Sequence, residues 1–253
     1  MFDLATQTTL TTEPSGASPR GHEVIGVLGG LGPLASTEFL KAIYENSVHE
    51  LEQQAPRVIM YSDPTFPDRT EALLSGDDEE VMERLTSSLR ALSFLGATQL
   101  IVCCVTAHSF LKRLPPDLNT RLISLVDVMF EEIIRSPQKR LLICTKGTRE
   151  SGLFQNHEHW PATQEYIVFP DERDQEGIHH ELLYQIKKRR NVYELVPFIK
   201  SLLAKYRVDS FISGCTEMHI IARRLVFTNG DRSKNHTIDP LSVIAARIGA
   251  GTL

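Results

Sequence analysis

The sequence predicts an α/β fold of two pseudo-symmetric lobes, each a mostly parallel sheet flanked by helices, with a candidate active site in the cleft between them. Three observations indicate this class. Short aliphatic runs alternate with segments of helical periodicity from Glu23 onward. This alternation occurs twice along the chain. In each half, a cysteine follows an aliphatic run and precedes a histidine by four residues, at Cys104 and at Cys215.

The first half contains three predicted strands, namely VIGVL (24–28), RVIMY (57–61) and QLIVCC (99–104). Pro33 opens the first helix, since a first-turn position needs no N–H, and helical spacing continues to Leu51. The acidic residues 77–80 begin a second helix at the end that favours negative charge. Gly96 can end that helix.

The second half repeats the alternation, with strands LLIC (141–144) and SFIS (210–213). An amphipathic helix is predicted over residues 177–190. The next helical segment, 191–206, either kinks at Pro197 or begins near Val196. Asp239 and Pro240 are predicted as the cap and first residue of a last helix.

The chain divides into three predicted parts. Residues 1–21, rich in Thr, Ser, Pro and Gly, are typical of a mobile tail. Residues 22–120 together with 228–253 form the first lobe, and residues 121–227 form the second. A chain of 253 residues with 42% hydrophobic residues can bury a sizeable core without disulfides or structural metals.

The net charge and the composition of the chain limit the kinds of partner that we expect it to bind. The net charge of −5 argues against nucleic acid, and no apolar run approaches the ~18 residues of a membrane span. The N-terminus has no basic flank followed by an apolar stretch, so we expect a cytoplasmic protein with reduced thiols. Cysteine spacing fits no zinc motif. The expected partner is a small molecule.

The two cysteine motifs carry the most information. CVTAH (104–108) and CTEMH (215–219) each follow a predicted strand. Because parallel sheets place ligand sites at the carboxyl ends of strands, two facing lobes would present Cys104 and Cys215 to one cleft. Cys103 and Cys144, inside aliphatic runs, are better explained as core residues.

Two opposed thiols can remove a proton from one face of a carbon and return a proton to the other, which inverts the stereocentre. The site must then stabilise a thiolate and a developing carbanion. Glu217 and His108 are candidates for tuning the thiols. We expect the two sulfurs roughly 7–8 Å apart, so that each approaches one carbon to ~3.5 Å.

Five motifs resemble those of the PLP-independent aspartate/glutamate racemases, and the aspartate racemase branch best. They are IGVLGGLGPLAS (25–36), PDRT (67–70), CVTAH (104–108), GCTE (214–217) and IDP (238–240). The resemblance implies an amino-acid substrate, no cofactor, and commonly a homodimer. It implies that Cys104 and Cys215 are the catalytic residues, with Cys215 acting on the L enantiomer and Cys104 on the D enantiomer.

The resemblance also implies a substrate-binding set. Arg69 suits bidentate carboxylate binding, and Lys187 matches the family's lysine, although a one-residue alignment shift would select Lys188. The remaining predicted contacts are Thr106, Thr148, Thr216, Gly32 and Pro33. The glycine loop does not follow the G-x-G-x-x-G dinucleotide spacing, so it is weak evidence for a nucleotide.

Two departures from the family pattern leave alternatives open. Val105 stands where the family usually has a substrate-contacting Asn, and Ser62-Asp63 replaces an Asn-Asn pair. The prediction is therefore an aspartate racemase using a two-thiol proton exchange. The alternatives are a racemase of glutamate or another acidic amino acid, a one-thiol isomerase or decarboxylase, and a non-catalytic binding protein.

Overall fold

A computed structural model describes residues 23–188, 191–229 and 237–253, with backbone alone for 225–229. The tail predicted over residues 1–21 lies outside these ranges, as do Arg189 and Arg190 at the end of a predicted helix. Among the described helices, none combines the length and apolar character needed to cross a bilayer.

Two parallel sheets of three strands form the framework. The first has the order β2-β1-β3, and the second has the order β5-β4-β6. The strands are β1 (Val24–Gly29), β2 (Arg57–Ser62), β3 (Gln99–Val102), β4 (Arg140–Cys144), β5 (Ile167–Val168) and β6 (Phe211–Gly214). In each sheet the earliest strand is central. The predicted α/β class with two similar lobes is confirmed.

Helices connect the strands of the first lobe. They are α1 (Pro33–Asn46), α2 (Arg69–Ser75), α3 (Glu79–Phe94), α4 (His108–Leu111) and α5 (Pro116–Asn119). Leu122 then forms a bridge to Leu100 of β3, and Ile238 forms a matching bridge to Ile212 of β6. The two connections between the lobes therefore leave at equivalent edges of the two sheets.

The second lobe carries α6 (Leu125–Arg135), α7 (Lys146–Glu150), α8 (Trp160–Thr163), α9 (Glu172–Gly177), α10 (Tyr184–Lys187), α11 (Val196–Tyr206) and α12 (Glu217–Asn229). A π-helical segment, Ile178–Leu183, joins α9 to α10. The last helix, α13 (Pro240–Ala250), packs against α1 and α6. The chain thus returns to the first lobe at its end.

Three apolar clusters form the core. The largest contains residues of both sheets together with side chains of α1, α6 and α13, for example Val27, Phe39, Leu142 and Ile244. A second packs α2 and α3 against the first sheet, and a third packs the π-helical segment and α10–α12 against the second sheet. The shared cluster holds the two lobes side by side, which fixes the ends of β3 and β6 relative to each other.

Two predictions about helix ends match the structure in position, at Asp239–Pro240 and at Val196, and one does not. Helical spacing predicted α1 to reach Leu51, but α1 ends at Asn46, and Val48 is 88% exposed. Asp239 lies at the N-cap position of α13, yet its carboxylate accepts hydrogen bonds from other side chains instead of the helix amides. The segment around Pro197 does not kink, because α11 begins at Val196 after a short 3-10 turn.

Candidate active site

Cys104 lies two residues after the end of β3, and Cys215 directly follows β6. Both sulfurs are free thiols, and the two residues are only 6% and 4% exposed. Burial raises the pKa of the Cys215 thiol first, and negative charge at Glu217 and Cys104 raises it further. Both thiols thus lie buried beyond the carboxyl ends of equivalent strands.

Cys215 has a carboxylate partner within its own loop. Its Sγ donates a hydrogen bond of 2.8 Å to Glu217 Oε2, at the first residue of α12. Glu217 Oε1 is buried and has no hydrogen-bond partner among the described residues. A buried carboxylate oxygen without a partner is costly, so Oε1 is an unsatisfied acceptor beside the thiol.

Gly32 makes room for this carboxylate. A Cβ built on Gly32 would lie 2.5 Å from Glu217 Oε1, which is closer than any real contact allows. The Gly32 carbonyl accepts hydrogen bonds from the backbone N–H and hydroxyl of Ser36, and Pro33 begins α1. The glycine loop of the first lobe therefore packs onto the cysteine loop of the second.

Arg69 lies beside Cys104 at the start of α2. Its Nη1 donates to the Pro67 carbonyl at 2.7 Å, and its Nη2 donates to the Leu31 carbonyl at 2.8 Å. Nε is buried without a partner among the described residues. Burial alone would lower the pKa of Arg69, but negative charge at Cys104 and Asp68 raises it. The guanidinium is fixed beside Cys104 by two backbone carbonyls.

Lys187 approaches from the second lobe at the end of α10. Its Nζ lies 4.3 Å from the centroid of the Tyr184 ring, in a cation–π contact. Burial tends to lower the pKa of Lys187, yet the negative charges of Glu217 and Cys215 raise it overall. Lys188 is exposed at the same helix end. The sequence allowed either Lys187 or Lys188 at this site. In the structure, Lys187 interacts electrostatically with Cys215.

The predicted threonines join the lobes. Thr106 Oγ1 of the first lobe lies 2.9 Å from Thr145 Oγ1 and 3.0 Å from Thr148 Oγ1 of the second. Thr145 and Thr148 are themselves 3.0 Å apart, so the three hydroxyls form a closed ring. Thr148 is fully buried. In this closed arrangement the hydroxyls bind each other, and substrate contact through Thr106 or Thr148 stays a prediction.

Thr216 makes a similar crossing. Its hydroxyl donates to the Cys103 carbonyl at 3.5 Å, between the two cysteine loops. Close backbone approach also occurs at Gly147 of α7, where an added Cβ would lie 2.8 Å from Thr70 Cα of α2. These contacts hold the ends of the two sheets together around the thiols.

The two histidines of the cysteine motifs, His108 and His219, both form hydrogen bonds with other buried groups of the protein. His108 Nδ1 donates to the Cys104 carbonyl at 2.9 Å, while Nε2 accepts from the Leu125 N–H at 3.0 Å. Burial lowers the pKa of His108 to about 4, so the ring is neutral and anchors the Cys104 loop. His219 is fully buried, and its Nδ1 lies 2.6 Å from Asp239 Oδ2.

Val105 and Asp63, the residues that depart from the family pattern, contact other side chains of the protein. Val105 is 1% exposed and lies in the apolar cluster shared by the two lobes. The Asp63 carboxylate pairs with Arg84 at 2.7 Å and with the Thr65 hydroxyl at 2.7 Å, so it does not place a free charge against an acidic ligand. Cys103 is fully buried, and burial raises the pKa of its thiol.

Sequence reasoning missed Asp68 and Tyr184. Tyr184 Oη donates to Asp68 Oδ2 at 2.8 Å, across 116 positions of sequence. The only local signals were the position of Asp68 in PDRT and that of Tyr184 in YQIK. Within the described ranges, no group of three or more His, Cys, Asp or Glu side chains is arranged to hold a metal ion.

The fold and the site together define a class of protein: two similar lobes with parallel sheets, each with a buried thiol beyond the end of one strand. A model of the Asp/Glu/Hydantoin racemase family matches residues 28–248. The chain therefore belongs to this family, which confirms the family resemblance that the motifs carry.

Solved structures of racemases share the fold. Aspartate racemase of Picrophilus torridus is 22% identical with a TM-score of 0.76, covering 91% of this chain and 94% of its own. An aspartate racemase homologue of Pyrococcus horikoshii is 20% identical with a TM-score of 0.61, covering 91% and 99%. Glutamate racemase of Campylobacter jejuni is 19% identical with a TM-score of 0.52, covering 90% and 85%. At these identities the likeness establishes the two-lobed fold.

Proposed function

We propose that this protein is a cofactor-independent amino-acid racemase that interconverts L- and D-aspartate by moving the α-proton between Cys104 and Cys215. The observation that carries the proposal is the equivalent position of the two buried thiols, one at the end of each lobe's sheet. A single thiol could serve an isomerase or decarboxylase, but the matched pair favours proton exchange on both faces of one carbon.

Each thiol has a cation beside it. Arg69 accompanies Cys104, and Lys187 accompanies Cys215. These cations can stabilise the thiolates and also bind the two carboxylates of an acidic amino acid, which is the reason for proposing a dicarboxylic substrate. They further stabilise the negative charge that develops as the α-proton leaves.

The proposed sequence for L-aspartate begins with Cys215 protonated and hydrogen-bonded to Glu217. Glu217 takes the thiol proton, and the Cys215 thiolate removes the α-proton from one face of the substrate. The electron pair left on Cα is delocalised into the α-carboxylate. Cys104 then gives its own proton to the opposite face, which yields D-aspartate and leaves Cys104 as the thiolate beside Arg69. Once the product has left, transfer of the Glu217 proton to the Cys104 thiolate through water restores the starting state. The reverse reaction uses the same steps in the opposite order.

The direct test incubates purified protein with L-aspartate in deuterium oxide without added PLP. Loss of the α-proton signal by NMR, with D-aspartate appearing on chiral chromatography, supports the proposal. Exchange with L-glutamate but not with L-aspartate would select the glutamate alternative. Calorimetric binding of an acidic amino acid without exchange or carbon dioxide release would select the binding-protein alternative, and release of carbon dioxide would select a decarboxylase.

The resemblance that implies these roles also implies a homodimer, which we retain as part of the proposal together with a cytoplasmic location. Sedimentation velocity at micromolar concentration tests the first point. A single species at the mass of one chain would overturn the dimer without touching the chemistry.

A further inference from the structure

Each cysteine motif carries a histidine four residues after the thiol, His108 after Cys104 and His219 after Cys215. His108 is the first residue of α4, and His219 lies in the first turn of α12. Both side chains are buried, at 6% and 0% exposure. The duplication of the thiols therefore extends to one buried histidine in each lobe, and the proton transfers proposed above use neither ring.

Each histidine reaches the start of a helix in the core that the lobes share. His108 Nε2 accepts the backbone N–H of Leu125, the first residue of α6, at 3.0 Å. His219 Nδ1 lies 2.6 Å from Oδ2 of Asp239, the residue that directly precedes α13. The helices α6 and α13 pack against each other in the apolar cluster of both lobes. The two histidines thus connect the two cysteine loops to one pair of helices.

The backbone before each of these helices is bound to the strand that leads to the thiol. In the first lobe, the Ile123 N–H donates to the Leu100 carbonyl of β3 at 2.8 Å. In the second lobe, the Ser213 N–H of β6 donates to the Ile238 carbonyl at 2.8 Å, and the Ile238 N–H donates to the Phe211 carbonyl at 3.0 Å. Each histidine therefore closes a loop of contacts that contains a strand, a thiol and the start of a helix.

Asp239 is a fixed and charged acceptor for His219. Burial tends to raise the pKa of Asp239, but the electrostatic interaction and hydrogen bond with His219 and the hydrogen bond from Ser242 lower it overall. Oδ2 accepts from His219 Nδ1 at 2.6 Å and from the Ser242 hydroxyl at 2.5 Å. His219 Nε2 has no hydrogen-bond partner among the described residues. The ring is therefore held through Nδ1, by a hydrogen bond to a charged group, which is the stronger kind.

We propose that the two histidines are positioning residues and that each fixes the loop of one thiol. His108 fixes Cys104, because its Nδ1 donates to the Cys104 carbonyl at 2.9 Å. His219 fixes Cys215, because its ring is bound to the start of α13 and its backbone lies in the first turn of α12, directly after the thiol. The fixing of each loop is independent of any activity, whereas its effect on turnover rests on the proposed function.

Selective alkylation tests this assignment without any turnover. His219→Gln places an amide at the position of Nε2, which has no partner among the described residues, and removes the Nδ1 donor. We expect iodoacetamide to alkylate Cys215 about tenfold faster in this variant, as loss of a hydrogen bond to a charged group predicts. The rate at Cys104, resolved by tandem mass spectrometry, should not change. Cys144, fully buried in β4, reports general unfolding.

His219→Asn is the matched conservative variant. The amide nitrogen of asparagine is as many bonds from Cα as Nδ1 of histidine, so it can donate to Asp239 in place of the ring. We expect this variant to alkylate at Cys215 at close to the wild-type rate. Equal acceleration in His219→Asn and His219→Gln would overturn the role of the Nδ1 bond.

His108→Gln is the reciprocal variant in the first lobe. It removes the donor to the Cys104 carbonyl, so we expect faster alkylation of Cys104 and a wild-type rate at Cys215. A rise at both thiols in either glutamine variant would overturn the assignment of one histidine to one thiol. Wild-type rates at both thiols in the two glutamine variants would overturn the proposal altogether.

Asp239→Asn provides a second variant of the Cys215 loop in case His219→Gln folds poorly. It keeps the size of the acceptor and removes its charge, so Cys215 should alkylate faster than in wild type. Combined with His219→Gln it should add nothing, because both changes act on one bond. Multiplying effects would contradict the proposal. Asp174→Asn is the control, since that carboxylate accepts Tyr206 Oη at 2.7 Å within the second lobe.

A kinetic isotope effect connects the positioning to the proposed racemase. With aspartate deuterated at Cα, His219→Gln should raise the primary isotope effect on kcat/KM from L to D and lower it from D to L, because the transfer at Cys215 becomes more rate-limiting. His108→Gln should do the reverse. Selective alkylation without racemisation by the wild type would retain the positioning roles and reject the activity. Racemisation by the wild type with unchanged alkylation in both variants would retain the activity and reject the positioning roles.

Discussion

The Cys215 thiol donates a hydrogen bond of 2.8 Å to Glu217 Oε2, so the sulfur proposed to remove a substrate proton rests with a proton of its own. Glu217 must therefore accept that proton before Cys215 can act. Glu217→Gln preserves the shape of the side chain and removes this capacity. We predict that kcat falls by about 10²–10⁴-fold, the usual contribution of a general base.

The measurement is kcat in both directions by chiral chromatography, with circular dichroism to verify folding. Glu194→Gln, at an exposed position of the same lobe, is the matched control and should retain activity. A Glu217→Gln variant with wild-type kcat would remove Glu217 from the mechanism.

Gly32→Ala should disable the same carboxylate from the opposite lobe. Its new Cβ would lie 2.5 Å from Glu217 Oε1, so the carboxylate must shift away from Cys215. Gly32 has φ of −169°, an extended conformation that alanine adopts without strain. We predict at least a tenfold loss of kcat with a change in unfolding free energy on the order of 1 kcal/mol.

The control for this substitution is Gly177→Ala, where the added Cβ meets the ring of Phe198 at 3.3 Å. Chemical denaturation and initial rates are measured on both variants. Full activity in Gly32→Ala would mean that the carboxylate has no required position.

Val105→Asn, the change that would make this motif more like the family's, should destabilise the protein. Val105 is 1% exposed in the cluster that the two lobes share. An amide placed there without partners costs about 1–3 kcal/mol. Urea denaturation should therefore show a lower midpoint, with Val105→Ala separating loss of packing from introduction of the amide. Unchanged stability with faster turnover would indicate that residue 105 can face the substrate.

Stability should fall with acid partly because of His108. Burial lowers its pKa from 6.5 to about 4, so the imidazole ring is uncharged in the folded state at neutral pH. The unfolded state takes up a proton at higher pH, and the stability contribution is complete above pH 6.5 and is lost as the pH falls toward 4. His108→Gln should lower the unfolding free energy at pH 7 by about 1–3 kcal/mol.

The useful quantity is the difference in unfolding free energy between wild type and His108→Gln, measured from pH 7.5 to pH 4. This difference should shrink as the pH falls. A constant difference would mean that the ring is not held neutral.

Replacing either cysteine should abolish racemisation, since each is assigned to one face of the carbon. Cys104→Ala and Cys215→Ala are assayed with both enantiomers, with Cys144→Ala as the control because Cys144 lies fully buried in β4. A Cys104/Cys215 double variant that still racemises aspartate would contradict the two-thiol mechanism.

Most strands of the two sheets could be predicted from the sequence, because the signals for them are local. The predicted strands fall on β1, β2, β3, β4 and β6, since buried parallel strands are continuous aliphatic runs, and only β2 among these five is largely exposed. The two-residue β5 lies within the short apolar run YIVF (166–169), which was not predicted as a strand. Spacing alone extended α1 past Asn46, and only the absence of a packing partner for Val48 shows why it ends earlier.

The site was less accessible to sequence reasoning because its contacts are long-range. Asp239 was expected to cap α13, but its carboxylate receives His219 and Ser242 instead, and only tertiary packing sets that choice. Asp68 and Tyr184 are joined across 116 positions. No spacing rule connects such a pair without the fold.

The hydroxyls of Thr106, Thr145 and Thr148 form a closed ring of hydrogen bonds between the two lobes. Each hydroxyl has one hydrogen to give and can accept another, so the three hydrogens can circulate clockwise or anticlockwise with every bond still made. Reversing the three hydrogens therefore breaks no hydrogen bond between the lobes, while the Thr145 hydroxyl continues to accept the Thr148 N–H at 3.1 Å.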